Sequence, residues 1–427
     1  MLDIKLIREN PEMVKNNLLR RGNLENIKML DKLIILDKKW RTQLTELNKL
    51  RHKRKTATKE IASLKKMKKE AIEQIEKARK IDNQIKKIDS EEMDSKDRIN
   101  KYLLRIPNLL HESVPVGKDD KGNIQVRKWG SIPEFIFPIK NHIELGTNLK
   151  IIDIERAGKV AGARFFYLKG AGALLDLALT NFALEVIAKK GYLPIEPPLL
   201  MRKEAYEGVT SLSDFEDVLY KIEKENLYLI ATSEHPIAAM FMKEVLKEDE
   251  LPIKFAGIST CFRKEAGSHG KDTRGIFRTH QFNKIEQFIF CTPEMSWELH
   301  EELINNAETI MKKIGLPYRS VNVCTGDIGT VAAKKYDIEV WMPAQKAFRE
   351  VVSCSNCTDY QARRLDIRYR EKEGAPTKGF VHTLNSTAIA TGRMIVAILE
   401  NFQQQDGSVL VPEVLRKYMG NIEKISL

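Results

Sequence analysis

Apolar positions step by three and four through most of the first quarter of the chain. The outgoing run is Leu33, Leu36, Trp40, Leu44, Leu47, Leu50, Ala57, Ile61 and Leu64. The return run is Ile72, Ile75, Ala78, Ile81, Ile85 and Ile88. This spacing is that of a coiled-coil seam. From Asn23 to Ile106 the chain has neither glycine nor proline, and Gly22 and Pro107 bound the gap as helix punctuation does. Lys65-Lys66-Met67-Lys68-Lys69 interrupts the seam near its midpoint and offers a turn. The pattern predicts an antiparallel helical hairpin, in which each stripe buries against the other. A short helix opened by Asn10-Pro11 precedes it.

The second half has a different rhythm. Residues 174–190 carry helical periodicity and stop at Gly191, and a short extended run then reaches Pro197-Pro198. Residues 255–262, 281–290 and 378–384 alternate as strands do. Strands clustered among helices predict an α+β body on a mainly antiparallel sheet. The expected division is a helical domain over 1–112, a turn-rich linker over 113–165, and a second domain over 166–427.

Composition narrows the class. The chain has 427 residues, 42% hydrophobic and 30% charged, which fits a globular protein. No run of about 18 apolar residues stands out, and MLDIKLIRENPEM has no apolar core of a signal peptide. The expectation is a cytoplasmic protein with no membrane partner. Five cysteines in this length do not make a disulfide scaffold. Cys354-Ser-Asn-Cys357 lacks a second half, so no zinc is expected.

The net charge is +12, and the excess is concentrated. Between Lys49 and Lys69 stand Lys49, Arg51, Lys53, Arg54, Lys55, Lys59, Lys65, Lys66, Lys68 and Lys69 against one acid, Glu60. A one-sign block repels itself, and a polyphosphate relieves that repulsion. The hairpin tip is therefore a candidate nucleic-acid contact.

Phosphate-loop, dinucleotide-binding, nucleophile-elbow and HExxH motifs do not occur. Gly267-Ser268-His269-Gly270 reads as a loop, not a nucleophile turn. What occurs is a hairpin, CFRKEAGSHGKDTRGIFRTHQFNKIEQF. Arg263 and Glu265 are two apart, as are Phe282, Lys284 and Glu286, so each set is expected on one strand face. Charges sharing a face with Phe282 suggest a lined cleft. Glu350 and Ser353 are oxygen donors suited to Mg²⁺ with substrate phosphates. Residues 383–388 with Ala390-Thr391-Gly392-Arg393 read as strand, polar loop and helix, with Arg393 where a helix start favours anions.

Together these motifs resemble those of class II aminoacyl-tRNA synthetases. Over essentially its full length the chain is similar to the seryl-tRNA synthetase family, through Thr232-Ser233-Glu234, FRKEAGS…RTHQFNKIEQF, EVVSCSNCTDYQARR, HTLNSTAIATGRM and the N-terminal arm. The resemblance implies that serine is activated with ATP to seryl-adenylate and transferred to the terminal adenosine of tRNA(Ser), and of tRNA(Sec) where one exists. Arg263, Glu265 and Arg393 match catalytic positions. Thr232, Ser233, Glu234, Arg263, Glu286, Asn385 and Thr387 match the serine site. Arg263, Lys264, Glu265, Arg278, Thr279, Phe282, Glu350, Val351, Val352, Ser353 and Arg393 match the ATP site, with Mg²⁺ at Glu350 and Ser353. Lys49, Arg51, Lys53, Arg54, Lys55, Lys65 and Lys66 match the arm that grips tRNA. Pro198 matches the proline at a homodimer interface. Relatives that charge a carrier protein lack the arm, which this chain keeps.

Overall fold

The computed structural model describes residues 1–210, 212, 217–265 and 275–427, so Gly267-Ser268-His269-Gly270 lies outside the described residues. The chain divides into two compact units, Met1–Leu109 and Leu110–Leu427.

The first unit contains α1 (Ile4–Glu9), α2 (Pro11–Leu19), α3 (Leu24–Lys66) and α4 (Ile72–Arg105). Asn10-Pro11 thus separates two helices where one was expected, because proline fits the first turn of a helix but not its interior. Asn23 starts α3 by accepting the Glu25 N–H at 2.9 Å. The turn falls at residues 67–71, where Lys68 takes a positive φ of 56°. Leu30, Leu33, Leu36, Leu47, Leu50 and Ala57 of α3 are buried, with Ala78, Ile99 and Leu103 of α4. Ile72, at the tip, remains 63% exposed because α3 has already ended.

Polar groups fix the register of the hairpin. Ser95 Oγ donates to Gln43 Oε1 at 2.9 Å, and Trp40 Nε1 donates to Glu92 at 2.6 Å. Buried Asp37 accepts Arg8 at 2.6 and 3.0 Å and Arg41 at 3.0 Å, which fastens α1 to α3. The basic block is not uniform. Arg51 pairs with Asp89 at 2.8 Å and Arg54 with Asp82 at 2.6 Å across the hairpin. Lys49, Lys53, Lys55, Lys65 and Lys66 are exposed, and among the described residues they form no ion pair.

The second unit is built on an eight-stranded sheet. Its strands are β1 (Ile124–Trp129), β2 (Leu193–Ile195), β3 (Ile253–Phe262), β4 (Gln281–Cys291), β5 (Tyr318–Asn322), β6 (Lys334–Met342), β7 (Ala347–Asn356) and β8 (His382–Ala390), in the spatial order β1-β5-β6-β7-β8-β4-β3-β2. All neighbours are antiparallel except the edge pair β2 and β3. The segment expected as a linker, 113–165, is instead folded into this unit. It contributes edge strand β1 and the helix α5 (His142–Asn148). Residues 378–384 are not one strand: Thr377–Phe380 pairs in a separate three-stranded sheet, and β8 begins at His382.

Alternation assigns the two faces of the sheet. Ile285, Ile289 and Cys291 of β4 join a core with helices α6 (Ala171–Ala188), α7 (Ser296–Ile314) and α9 (Thr391–Asn401). Phe288 and Phe290 point the other way, into a second cluster with Tyr206, Ile237 and Leu365, the last on α8 (Tyr360–Leu365). Helix α6 has the length and hydropathy of a membrane span, with a mean of 1.5 over 18 residues, against the expectation that no such run exists. It packs as a core helix through Leu175, Leu179, Phe182, Ala183 and Ile187.

Candidate active site

On the face that carries Phe288 and Phe290, the sheet opens into a cavity of about 370 Å³. Phe282, Lys284 and Glu286 alternate into it from β4, as their spacing predicts. Arg263 and Glu265 reach it by another route. β3 ends at Phe262, and the chain turns through Glu265, whose φ is 48°. Their meeting therefore owes nothing to strand alternation. Arg263 lies over the Phe282 ring at 5.2 Å and donates from Nε to Ala231 O at 3.3 Å. Glu265 faces Arg278 at 3.6 Å.

Two bulges place the remaining groups. Glu350 and Ser353 are three apart, so a regular strand would put them on opposite faces. In β7 the pairing slips at Val351: Ile338 faces Val352 while Glu339 faces Glu350. Glu350, Ser353 and Ser355 thereby all line the cavity. In β8 a second slip falls at Ala388, between Thr387 facing Glu286 and Ile389 facing Ile285. Asn385 and Thr387 line the cavity before it and Ala390 after it. The strand then runs straight into α9, so the polar loop expected here does not form. Arg393, in the first turn of α9, donates to Glu350 O at 2.8 Å and stands 3.6 Å from its carboxylate.

The cavity has a cationic end and a carboxylate end. At the first, Arg263, Arg278, Arg393 and Lys335 converge. Burial disfavours the charged form of Glu350, but the fields of Arg393, Lys335, Arg263 and Arg278 outweigh it, and its pKa is lowered. At the second, Lys284 Nζ bridges Glu286 Oε2 at 2.5 Å and Thr232 Oγ1 at 2.6 Å. Thr387 donates to the same Glu286 oxygen at 3.1 Å. Glu286 is thus an ion-pair partner of Lys284, in the interior and not at the surface. Glu234 accepts from Gln361 Nε2 at 3.2 Å, and Gln361 in turn accepts from Thr383 at 2.6 Å. Burial, then Glu286, pushes the Glu234 carboxyl up to about 7, against the opposing fields of Lys284 and Arg263.

Three expected residues do not line the cavity. Ser233 is buried and donates to Gly257 O at 3.3 Å; a Cβ at Gly257 would meet Ser233 Oγ at 2.6 Å, so glycine permits this approach. Val352 lies in the core, and Lys264 hydrogen-bonds through its N–H to Val218 O at 2.8 Å. Gln361, Lys335 and His235 also line the cavity; Gln361 stands within the string EVVSCSNCTDYQARR with no role expected of it, and no motif marks the other two. Burial, then Lys284 and Arg263, lowers His235 to about 3, and Tyr206 OH lies 2.8 Å from its Nδ1, so it is a neutral wall. Lys284 lies on the face expected of it, in a bridging role that its spacing alone does not reveal.

Glu350 and Ser353 give an all-oxygen donor pair. Asp337, directly across from Ser353, has its Oδ1 buried without a hydrogen-bond partner. That chemistry fits a hard cation whose other ligands are phosphate oxygens. Among the described residues no group of three or more His, Cys, Asp or Glu could hold a metal unaided. Cys354 and Cys357 are buried thiols; Cys354 lies against His300 O at 3.9 Å and Cys357 accepts from Asn385 at 3.7 Å.

Residues 219–402 match the tRNA synthetase class II core domain (G, H, P, S and T), so fold and cleft define a class II synthetase core. Residues 1–110 match the seryl-tRNA synthetase N-terminal domain. Over 423 residues the chain is 52% identical to the serine--tRNA ligase of Methanocella arvoryzae, covering 99% of this chain and 100% of that one. The crystal structure of seryl-tRNA synthetase from Pyrococcus horikoshii complexed with ATP superposes with a TM-score of 0.95 at 50% identity, covering 100% of this chain and 99% of that one. The serine-tRNA ligase of Naegleria fowleri in complex with AMP gives 0.90 at 39%, with coverage of 100% and 99%. The chain belongs to the seryl-tRNA synthetase family, as its motifs implied.

The raised Glu234 pKa has a measurable consequence. Below about pH 4.5 the carboxyl is neutral in both folded and unfolded chains. Between there and about 7 only the unfolded chain ionises, so stability falls as pH rises, and above 7 the loss is constant. Glu234→Gln removes the titration. At pH 8 it is expected to be more stable than wild type by about 3 kcal/mol, and at pH 4.5 by less than about 0.5 kcal/mol. Chemical unfolding at the two pH values checks this, and an equal difference at both would place Glu234 in an ordinary solvated setting.

Proposed function

We infer that the protein is a serine--tRNA ligase, which joins serine to tRNA(Ser), and to tRNA(Sec) where one exists, at the expense of ATP in the cytoplasm. The observation that carries the site assignment is one cavity with an arginine-lined end and a carboxylate-lined end. ATP fits the first through its phosphates, and the ammonium of an amino acid fits the second.

The serine carboxylate attacks the α-phosphorus of ATP, forming seryl-adenylate as pyrophosphate leaves. A carboxylate is already a nucleophile, so no general base is required. The protein contributes orientation and charge. Arg263 and Arg393 stabilise charge that shifts toward the leaving pyrophosphate. Phe282 offers a ring for stacking the adenine. Glu350 and Ser353 would hold Mg²⁺, which when bound neutralises phosphate charge. A ribose hydroxyl of the terminal adenosine of tRNA then attacks the adenylate carbonyl; the acyl–phosphate bond breaks, AMP leaves, and the hydroxyl proton is released. Glu234 and the fixed Glu286–Lys284–Thr232 group face the small polar side chain and the ammonium. Alanine would leave hydroxyl-binding groups unpaired, and threonine would collide with a wall that is held in place.

The arm supports a separate role. Its exposed lysines suit the phosphates of tRNA. A second copy of the chain fits the surface of α6 and of the segment at Pro198: Leu174 and Leu177 on α6, and Leu193, Leu199 and Leu200 close to Pro198 in sequence, are all exposed although each is apolar.

Four measurements test these readings. Wild-type protein is expected to catalyse serine-dependent ATP–pyrophosphate exchange and to charge tRNA(Ser). Arg263→Ala should lose on the order of 3 kcal/mol of transition-state stabilisation in exchange while keeping its fold; exchange near the wild-type rate would remove Arg263 from the site. Replacing Lys53, Lys55, Lys65 and Lys66 with Gln should spare exchange and reduce the salt slope of tRNA binding by about 0.7–0.9 per lost phosphate contact. An unchanged slope would take the arm out of the interface. By sedimentation velocity the wild type should be a dimer and Leu177→Asp should shift it toward monomer. A monomeric wild type would sink the dimer reading.

A further inference from the structure

His142 opens α5 and is buried, yet it lies outside the cavity lining. Its Nδ1 is 3.1 Å from Glu400 Oε1, and its backbone N–H donates to the same oxygen at 3.2 Å. Glu400 Oε2 accepts the Ala344 N–H at 3.1 Å. On the other side of the ring, the Ile276 N–H donates to Nε2 at 3.4 Å. A carboxylate calls for a donor and an N–H calls for an acceptor, so these neighbours fix the proton on Nδ1. Gly275 has φ 86°, and a Cβ there would come within 2.1 Å of Nε2, so this close passage requires glycine.

Both partners of the ring lead into the cavity. Glu400 is seven residues beyond Arg393 on α9, about two turns, and so shares its face. Ile276, Phe277 and Arg278 line the cavity. The Phe277 ring lies beneath Arg349 at 4.6 Å and Arg393 at 5.0 Å, and Arg278 faces Glu265. One imidazole therefore ties the backbone just before Arg278 to the helix that bears Arg393.

We propose that His142 is a positioning residue for the ATP end of the cavity. By accepting the Ile276 N–H while anchored to Glu400, it sets residues 276–278 against Arg393 before ATP arrives. It touches no substrate and acts through Ile276. The inference rests on the assignment of this end to ATP.

The two ring nitrogens can be tested separately. His142→Asn keeps a donor for Glu400 but has no atom reaching Ile276, whereas His142→Gln places an acceptor near the Nε2 position. In pyrophosphate exchange, His142→Asn is expected to raise the KM for ATP about ten-fold while the KM for serine stays within about two-fold. His142→Gln should return the KM for ATP to within about three-fold of wild type. A folded His142→Asn with the wild-type KM for ATP, or equal losses in both variants, would overturn the proposal. Hydrogen exchange on the wild-type enzyme without ATP needs no variant: the Ile276 amide should be protected, and exchange at the rate of an open amide would also overturn it. Absence of serine-dependent exchange in wild type would instead count against the assignment of the cavity and leave the amide measurement standing.

Discussion

A strand can send consecutive side chains only to opposite faces, and this sheet must satisfy both faces at once. One face has to be apolar to bury α6, α7 and α9; the other has to present charge to a cavity. β4 meets the demand by plain alternation, with Phe282, Lys284 and Glu286 on one side and Ile285 and Ile289 on the other. β7 and β8 cannot, and each inserts one residue, Val351 and Ala388. The two bulges change which face receives the next side chain without interrupting the hydrophobic core. Glu350, Ser353, Asn385, Thr387 and Ala390 all depend on them for their direction.

The electrostatics follow from that enclosure. Two carboxylates, Glu234 and Glu286, line one end of the cavity, and the charge on Glu286 disfavours ionisation of Glu234. Lys284 sits between Glu286 and Thr232 and offsets one of the two charges. What remains is one carboxyl, Glu234, with a protonation equilibrium close to neutrality, held by Gln361 and Thr383. At the other end the four cations Arg263, Arg278, Arg393 and Lys335 meet three carboxylates, Glu350, Glu265 and Asp337, the last 3.3 Å from Lys335.

Much of this was legible in the sequence, for identifiable reasons. The hairpin was readable because only a helix sustains a 3.6-residue period over so many turns, and its ends were marked by Gly22 and Pro107. The inward face of β4 was readable because nothing breaks its alternation. Arg263 and Glu265 do meet, but not for the reason their spacing suggests, since the strand stops at Phe262 and a left-handed residue completes the turn. The bulges leave no compositional trace, so Glu350 and Ser353 could be paired by their oxygen chemistry and by family resemblance, but not by strand alternation. The segment 113–165 looked like a linker because turn-forming residues dominate it, while its one long strand, β1, lies at an edge and is itself irregular between Gln125 and Arg127. His142 carried no signal at all, and Gln361 stood in a family string with no role attached, because their importance lies in what they touch from other parts of the chain.

The ion pairs along the hairpin divide the basic block into two classes of cation. The lysines are open to any polyanion that approaches. Arg51 and Arg54 are already occupied by Asp89 and Asp82, carboxylates tethered in place on the return helix. A phosphate must displace a built-in competitor to reach either arginine. Exposed pairs of this kind are weak, so a ligand that meets many cations at once overcomes them at little loss in affinity. A ligand making one or two contacts gains too little to do so. The arm is thus partly self-masked, and its apparent charge grows with the extent of the surface that engages it.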